Sequence, residues 1–480
     1  MPIVTNKVRH PLYAELSTIV GPTYTSDEDF VRLAYSKDSS PAPAQVQGIV
    51  VRPANTEQVV QIVKLANYTR TPIVPSGGRA SLYGCPPGLP GRGIVVDMTR
   101  MRKVLEIDEV RTTVTAEAGI TVAELTAYCH EKGWDIHTAL QPFFSDTVGG
   151  QLSGVLGGGT GLELSSAGWN EHHICGIKVV LPDGSVLQTG GGPGTNVNQK
   201  STFAREPGGP SMTGMFVGDA GVFGIKVEAT YRMYRLCKMV NGRACVFDTL
   251  DEAWRFCSLI STVEPLPYTT IAMIPPTKTT VMMGAPNKHL VIVIIKGNSE
   301  EEIAPKLNIV AEVLGQTEGQ FSDDPGAQDW VEQCASGKRH REMGLFGSLG
   351  VWTYLELVTP RDEVTECVRW IREFHQGTLE RHNIPYEVNN GVVAVGSNQW
   401  IITSIIFLKG WDAKAMAIMY DLWRDGLQMG VARGWFPDAN QGWGSIAQAK
   451  YWSAPMTTFM RTIKKALDPN NIMNPGLWGL

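Results

Sequence analysis

The placement of glycine constrains this chain more than any other feature. It contains 51 glycines, and they cluster in Ser76-Gly77-Gly78-Arg79-Ala80-Ser81-Leu82-Tyr83-Gly84 and again between Gly149 and Gly168. Their density falls after about Tyr234. Glycine reaches positive φ without strain and lets main-chain N–H groups come close to a ligand. A domain that concentrates it between strands and helices has backbone, rather than side chains, lining part of its surface. The change near residue 236 marks the best boundary between two differently built regions. A chain of 480 residues is also too long for one ordinary core.

Ahead of that boundary, strand and helix patterns alternate. Gly48–Arg52 reads as a strand. Thr56–Thr69 has helical spacing, with Val59, Val60, Ile62, Val63, Leu65 and Ala66 on its apolar face and Thr56 as the predicted N-cap. Further strands are predicted at Pro72–Pro75, Ile94–Asp97, Val104–Ile107 and Thr112–Ala116. A second helix, Thr121–Lys132, is closed by Gly133. Ile174–Leu181 reads as a buried strand, and the turn Pro182-Asp183-Gly184-Ser185 leads into Val186–Thr189. Beyond residue 236, strands alternate with amphipathic helices at Leu250–Thr262, Ser299–Leu314 and Arg361–Phe374; a last helix covers Met456–Leu467.

Composition excludes several classes. A formal net charge of -5 with no basic block argues against a nucleic-acid partner. No run of about 18 apolar residues occurs, which predicts no membrane span. The opening MPIVTNKVRHPLYAEL lacks the features of a secretory leader. The 8 cysteines include no C-x-x-C pair, so they read as free thiols of a reducing, cytoplasmic compartment, with no metal site. A homo-oligomer is compatible with all of this.

Small residues in succession after a strand can turn several N–H groups toward a diphosphate, and Ser76–Ser81 has that composition. An ordinary tight surface loop has it too. Neither G-x-G-x-x-G after the first strand nor G-x-x-x-x-G-K-[ST] occurs, which disfavours a nicotinamide-type Rossmann domain and a P-loop.

In order and spacing, several segments resemble the vanillyl-alcohol oxidase / p-cresol methylhydroxylase superfamily. They are Arg52-Pro53, Pro75–Arg79, Ile94–Met98, the run TVTAEAGITVAEL ending at Leu125, Glu171-His172 before Gly176–Leu181, Gly218–Ile225 and the terminal LDPNNIMNPG. The resemblance implies an α+β fold: a two-subdomain FAD-binding domain of the p-cresol methylhydroxylase type, with an inserted α+β cap domain. It places the FAD domain at 1–236, the cap at 237–425 and a C-terminal segment completing the FAD domain at 426–480. It assigns FAD contacts to Pro75, Ser76, Gly77, Gly78, Arg79, Ala80, Ser81, Pro142, Asp146, Thr147, Gly149, Gly150, Ser153, Gly154, His172, Gly224, Ile225 and Asn474.

Within the superfamily the chain stands between two groups. Ser76–Gly84 follows the loop S-x-G-R-x-x-x-Y-G of the aromatic-alcohol and 4-alkylphenol oxidases, whereas PDGSVLQTG and TYLELVTPRDEV fit either these or the glycolate oxidase / D-lactate dehydrogenase group. Ile401 and Ile402 stand where a cap histidine attaches flavin in the former, and Arg79 stands where loop-type members carry histidine, so FAD is expected to be held non-covalently. Asp438-Ala439 replaces the phenolate-binding Tyr-Arg pair, and the metal-binding H-x-x-D-x-N-x-H of the latter group is missing. The expected reaction is hydride transfer to flavin from an alcohol or benzylic carbon of a small, aromatic substrate. Tyr83 and Asp438 are the expected catalytic residues, and Trp352, Trp400, Trp435 and Trp443 the candidates for an aromatic wall. The alternatives are a D-2-hydroxy acid dehydrogenase, or the flavin subunit of an electron-transfer complex. The electron acceptor, whether oxygen, cytochrome, quinone or an iron–sulfur partner, is left open.

Overall fold

The computed structural model describes residues 9–37, 40–80, 92–137, 145–154, 170–206, 209–277, 280–281, 285–335, 351–382, 386–395, 398–408, 413–437 and 442–480. Ile49–Val51, Ile94–Asp97 and Ile73–Ser76 lie parallel, with Ile94–Asp97 in the middle and the short strand Thr25–Ser26 antiparallel on the outer edge. Ile49, Val50, Val51, Ile94, Val95 and Val96 are all buried, the continuous apolar run expected of a parallel sheet covered on both faces. The helix Thr56–Thr69 makes the crossover and buries Val59, Val60, Ile62, Val63 and Ala66 of the predicted stripe, while Leu65 is only half-buried at its margin. Its N-cap is Asn55, not Thr56: the Asn55 side chain accepts a hydrogen bond from the Gln58 N–H, and Thr56 is already helical. An amide oxygen one residue earlier is in reach of the third helical N–H, which leaves the Thr56 hydroxyl no capping task.

A second sheet is antiparallel, in the order Val104–Asp108, Thr113–Glu117, Ile225–Arg232, Ile174–Val180, Val186–Gln188. The helix Val122–His130 packs beside it. It begins with a full capping box between Thr121 and Glu124, and Gly133 follows its end at φ 76°.

The C-terminal residues close onto both sheets. The Ile73 N–H donates to the Ile472 carbonyl at 2.7 Å and the Asn474 N–H to the Ile73 carbonyl at 2.9 Å, so residues 472–474 run along the edge of the parallel sheet. Leu477 and Trp478 enter the core of the antiparallel sheet. Lys464, buried in the helix Ala454–Leu467, donates to the carbonyls of Val222 and Met473 at 2.9 and 2.7 Å and to the Asp468 carboxylate at 2.6 Å.

Between these two contributions lies a larger sheet of 8 strands, all within Met239–Pro437. Its order is Gln320–Phe321, Met239–Phe247, His289–Gly297, Thr270–Ile274, Tyr386–Val395, Gln399–Leu408, Val351–Pro360, Phe436–Pro437. The helices Leu250–Ile260, Glu300–Leu314, Val364–Arg381 and Ala413–Ala432 bury their apolar residues against it. The third begins after a 3₁₀ turn at Arg361–Glu363 and runs beyond the predicted Phe374, because its stripe continues through His375 and Leu379. Trp400 and Trp435 are core residues, not an exposed aromatic wall. Trp400 meets Trp254 edge-to-face at 4.7 Å, and the Trp435 indole donates to Glu363 at 2.6 Å. The side chains of Trp352 and Trp443 lie outside the described residues. Among the described residues, no helix is long and apolar enough to cross a membrane.

Candidate cofactor site

Where the parallel sheet, the antiparallel sheet and the C-terminal segment meet, they leave a cleft. Its walls include Pro75, Ser76, Gly77, Gly78, Arg79 and Ala80 from the loop after the strand Ile73–Ser76. Opposite stand Asp146, Thr147, Gly149, Gly150 and Ser153 from the turn and short helix that follow residue 145. Gly224, Ile225 and Lys226 come from the start of the central antiparallel strand, Asn474 and Leu477 from the chain's end. The cleft thus draws on both ends of the chain, because it opens along the seam between two sheets that neither end completes alone.

The glycine pair in the loop is a packing requirement. A Cβ on Gly78 would stand 1.4 Å from the Ser145 carbonyl oxygen, and one on Gly77 would stand 2.2 Å from the Thr147 hydroxyl. Loop and turn therefore touch backbone to backbone, which any side chain would prevent. Arg79, at φ 55°, turns away from the turn. Its guanidinium lies 4.3 Å over the Tyr35 ring and donates to the Ala34 carbonyl. The Tyr35 hydroxyl in turn donates to Asp97, which also meets Arg52 at 3.2 Å. Burial and that carboxylate raise the Tyr35 phenol above its ordinary range, so it stays a proton donor.

The inner wall holds buried charge. The Lys226 ammonium contacts Asp219 at 2.5 Å, and Asp219 also accepts from the Gly221 N–H at 2.9 Å. Desolvation pushes the Asp219 carboxyl up, opposed by Lys226. Asn474, held at φ 42°, donates through its side-chain amide to the Ala220 carbonyl at 2.6 Å. Its Oδ1 is buried without a hydrogen-bond donor, as is Gln47 Oε1, and both residues line the cleft. Buried acceptors without donors are costly unless a ligand supplies N–H or O–H groups. An FAD offers such groups on its adenine, ribityl chain and flavin ring, and the backbone cradle of the loop suits its diphosphate. The residues present fit that cofactor.

Of the residues singled out from the sequence, two described ones stand outside this cleft. Gly154 is buried at the end of the helix Val148–Gly154, and His172 is exposed. The buried histidine is His173, whose Nδ1 lies 2.8 Å from the Tyr234 hydroxyl. His137 packs on the same tyrosine at 3.8 Å between ring centroids, and burial lowers its pKa to about 4. Ser81, Tyr83, Pro142 and Asp438 lie outside the described residues. Sequence reasoning missed Tyr35, Gln47 and Lys226 as cleft residues. Only Lys226 carried a signal: a lysine in the otherwise buried strand start Gly224-Ile225-Lys226-Val227 calls for a partner. Among the described residues no group of three or more His, Cys, Asp or Glu is arranged to hold a metal.

Comparison with known proteins agrees with this geometry. Residues 48–190 match the FAD binding domain model, and residues 445–477 match the C-terminal domain of FAD linked oxidases. The glycolate oxidase subunit GlcD of Bacillus subtilis is 24% identical over 473 residues, covering 96% of this chain and 95% of its own. The D-2-hydroxyglutarate dehydrogenase of Stutzerimonas stutzeri is 29% identical over 241 residues, covering 50% of this chain and 48% of its own. Among solved structures, 4-ethylphenol oxidase from Gulosibacter chungangensis superposes with a TM-score of 0.79 at 19% identity, covering 97% of this chain and 96% of its own. Substrate-bound p-cresol methylhydroxylase gives 0.78 at 18% identity, covering 98% and 96%. A cleft built from both chain ends, two domain models matching those same ends, and a shared fold lead to one conclusion: this chain is an FAD-dependent oxidoreductase built on the p-cresol methylhydroxylase fold, similar at both ends to the FAD linked oxidases.

Proposed function

We propose that the protein dehydrogenates a hydroxyl-bearing carbon of a medium-sized, aromatic alcohol. Bound FAD supplies the hydride acceptor. The chain's own residues hold the cofactor and manage the substrate's proton. The cradle of Ser76–Ala80 against Asp146–Gly150, with Asn474 and Lys226 behind it, is assigned to cofactor binding. Tyr83, in the sequence just after that loop, is assigned to binding the substrate hydroxyl. In the sequence Asp438 follows Phe436–Pro437, which pairs with Leu357 and Val358 at the edge of the eight-stranded sheet. Its assigned role is to take the hydroxyl proton as hydride leaves. The observation that carries this reading is the loop Ser76–Gly84, which follows the aromatic-alcohol oxidases, together with the missing metal ligands of the hydroxy-acid group.

A second reading, dehydrogenation of a D-2-hydroxy acid, is favoured by one specific observation: the match to a glycolate oxidase subunit runs over nearly the whole of both chains. Anaerobic mixing with aryl alcohols, D-lactate and glycolate, watching the flavin absorbance bleach, separates the two. Bleaching by aryl alcohols alone supports the first, and bleaching by the hydroxy acids alone replaces it with the second. In Asp438→Asn, flavin reduction should slow roughly 10²-fold with FAD still bound, the usual scale for loss of a general base; unchanged reduction removes Asp438 from the mechanism.

Attachment is assigned as non-covalent. Arg79 offers no nucleophile, and Ile401 and Ile402 are fully buried in the strand Gln399–Leu408. Acid precipitation should leave all flavin in the supernatant, and a yellow pellet would reveal a covalent link. The compartment is assigned as cytoplasmic from the scattered cysteines, 6 of which are free thiols among the described residues.

A further inference from the structure

One wall of the cleft comes from a segment that is firmly held at its two ends. Tyr35, Gln45 and Gln47 line the cleft from it. At its start, Asp27 accepts from the Arg9 guanidinium at 2.7 Å and from the His10 N–H at 2.8 Å. At its far end, Gln47 is buried and leads into the strand Ile49–Val51. Between these anchors the helix Asp29–Ala34 buries no residue, with Phe30 74% and Leu33 57% exposed. Apolar packing therefore adds little to its attachment, and what ties it down is polar. Arg32 Nε donates to the Gln47 carbonyl at 2.6 Å, within the segment itself. Two other ties cross to the cofactor site. The Arg79 guanidinium donates to the Ala34 carbonyl and lies 4.3 Å over the Tyr35 ring, and the Tyr35 hydroxyl donates to Asp97.

Arg79 belongs to the loop after the strand Ile73–Ser76, and it lines the cleft together with Tyr35. The junction thus joins the segment to the loop that cradles the cofactor. Arg79 is held at φ 55°, a left-handed conformation uncommon for a residue with a Cβ. Such a backbone persists where surrounding contacts hold it, and here those contacts are the Ala34 carbonyl and the Tyr35 ring. Asp97, which receives the Tyr35 hydroxyl, is itself fixed: it accepts from the Thr99 N–H at 2.8 Å and meets Arg52 at 3.2 Å. The sheet is therefore the stationary half of the junction, and the helix is the half free to move. We propose that Arg79 and Tyr35 form a latch that closes residues 29–35 against the cleft as a strap, and that its opening sets the rates at which FAD enters and leaves. The proposal rests on FAD as the cofactor and is independent of the substrate.

A latch behaves differently from a contact that grips the cofactor. A gripping contact exists only in the bound state, so its loss speeds release and leaves uptake alone. A latch is closed with or without the cofactor, so its loss speeds both. The two joints can be broken separately. Tyr35→Phe keeps the ring beneath Arg79 and removes the bond to the Asp97 carboxylate, which retains Thr99 and Arg52. Arg79→Ala removes both the cation over the ring and the bond to Ala34. A hydrogen bond to a charged group, or a cation over a ring with its own hydrogen bond, shifts an opening equilibrium by roughly tenfold.

The test measures FAD release from the holoprotein and FAD uptake after the flavin has been stripped, both by flavin fluorescence. In wild type the uptake rate should rise with FAD concentration and then level off at the opening rate. In Arg79→Ala and Tyr35→Phe that ceiling should rise roughly tenfold, with release faster by a similar factor, so that affinity changes much less than either rate. Hydrogen exchange of the variant holoproteins should quicken at residues 29–35 and stay slow in Ile49–Val51 and Ile94–Asp97, which separates an opened strap from a misfolded domain. Faster release with unchanged uptake overturns the proposal, because it makes Arg79 and Tyr35 ordinary contacts to the cofactor. A wild-type uptake rate that keeps rising in proportion to FAD overturns it as well, and that arm needs no variant to fold. Wild-type protein that takes up no FAD overturns the cofactor assignment itself, and the proposal with it.

Discussion

The cofactor cradle and the eight-stranded sheet solve the burial problem in opposite ways. Around the cradle, charge is taken inside and matched: Lys226 with Asp219, Lys464 with Asp468 and two carbonyls, Asn474 with the Ala220 carbonyl. In the large sheet, Val291, Val293, Ile295, Leu355, Leu357, Trp400 and Ile402 make a dry core. Two histidines inside this region are held neutral by burial. His375 is fully buried against Ser404, at 2.8 Å, with its pKa lowered to about 3, and desolvation lowers that of His289 to about 4. A site that must receive a polar dinucleotide needs fixed dipoles and charges ready for it, and their desolvation is acceptable only when each is partnered. A sheet covered by helices and, among its described residues, with no buried charge pair to match has no such need, and apolar packing suffices.

The sharpest way to break this contrast is at the glycine pair. Gly78→Val would force the loop off the Ser145 carbonyl, since even a Cβ would lie 1.4 Å from it. The expected result is loss of bound flavin, read as a colourless protein, while the eight-stranded region stays folded by hydrogen exchange. Flavin retained at wild-type level would mean that loop and turn are not the cradle.

A smaller effect is expected at Lys464. In Lys464→Met the Asp468 carboxylate stays buried without its cation, although the N–H groups of Ile472 and Met473 still reach it at 2.9 and 2.8 Å. Breaking one side of a buried pair costs about 3–5 kcal/mol. Urea unfolding should show that loss in the transition that releases the chain's end. A loss below about 1 kcal/mol would show that the backbone donors alone support Asp468.

The large sheet should respond to acid. The folded-state pKa values of His375 and His289 lie below the unfolded 6.5, so their contribution is fully present above pH 6.5 and is lost as pH falls toward about 3 and 4. The loss is on the order of 3 kcal/mol per histidine at pH 4. His375→Gln should flatten the decline between pH 6.5 and 4 in urea titrations, whatever it does to stability at neutral pH. An unchanged slope would assign the acid response elsewhere. Asp146 has the opposite sign. Its raised pKa gives a contribution that is fully present below the unfolded value near 3.9 and is lost progressively as pH rises from there to about 7.

Local signals in the sequence were enough for most of the cradle. Gly78 stands where backbone meets backbone, and Gly77, Gly149 and Gly150 stand where a neighbouring side chain takes the space of a Cβ; such positions declare themselves by residue type. The stripe Val59–Ala66 and the Thr121 capping box were equally readable, because helix periodicity and capping act over a few residues. The N-cap at Asn55 was misread by one position, since two adjacent residues could both cap and only the backbone conformation chose between them. The tryptophans left two readings open, a pocket wall or core packing, because Trp400 and Trp435 look alike in a sequence either way; both fill the core.

What the sequence determined by itself is many of the strands and helices ahead of residue 236 and the glycine-rich composition of the loop Ser76–Ala80. Tertiary structure alone decided which distant residues complete the site. Tyr35 and Gln47 reach the cleft from the N-terminal region, and Lys226 from within an apolar strand. Asn474 reaches it because residues 472–474 bond to Ile73, some four hundred positions away in the chain. Local propensity carries no record of that pairing. The parallel sheet leaves an edge open beside Ile73, the terminal segment satisfies its N–H and carbonyl groups, and only then do two buried acceptors face the same cleft.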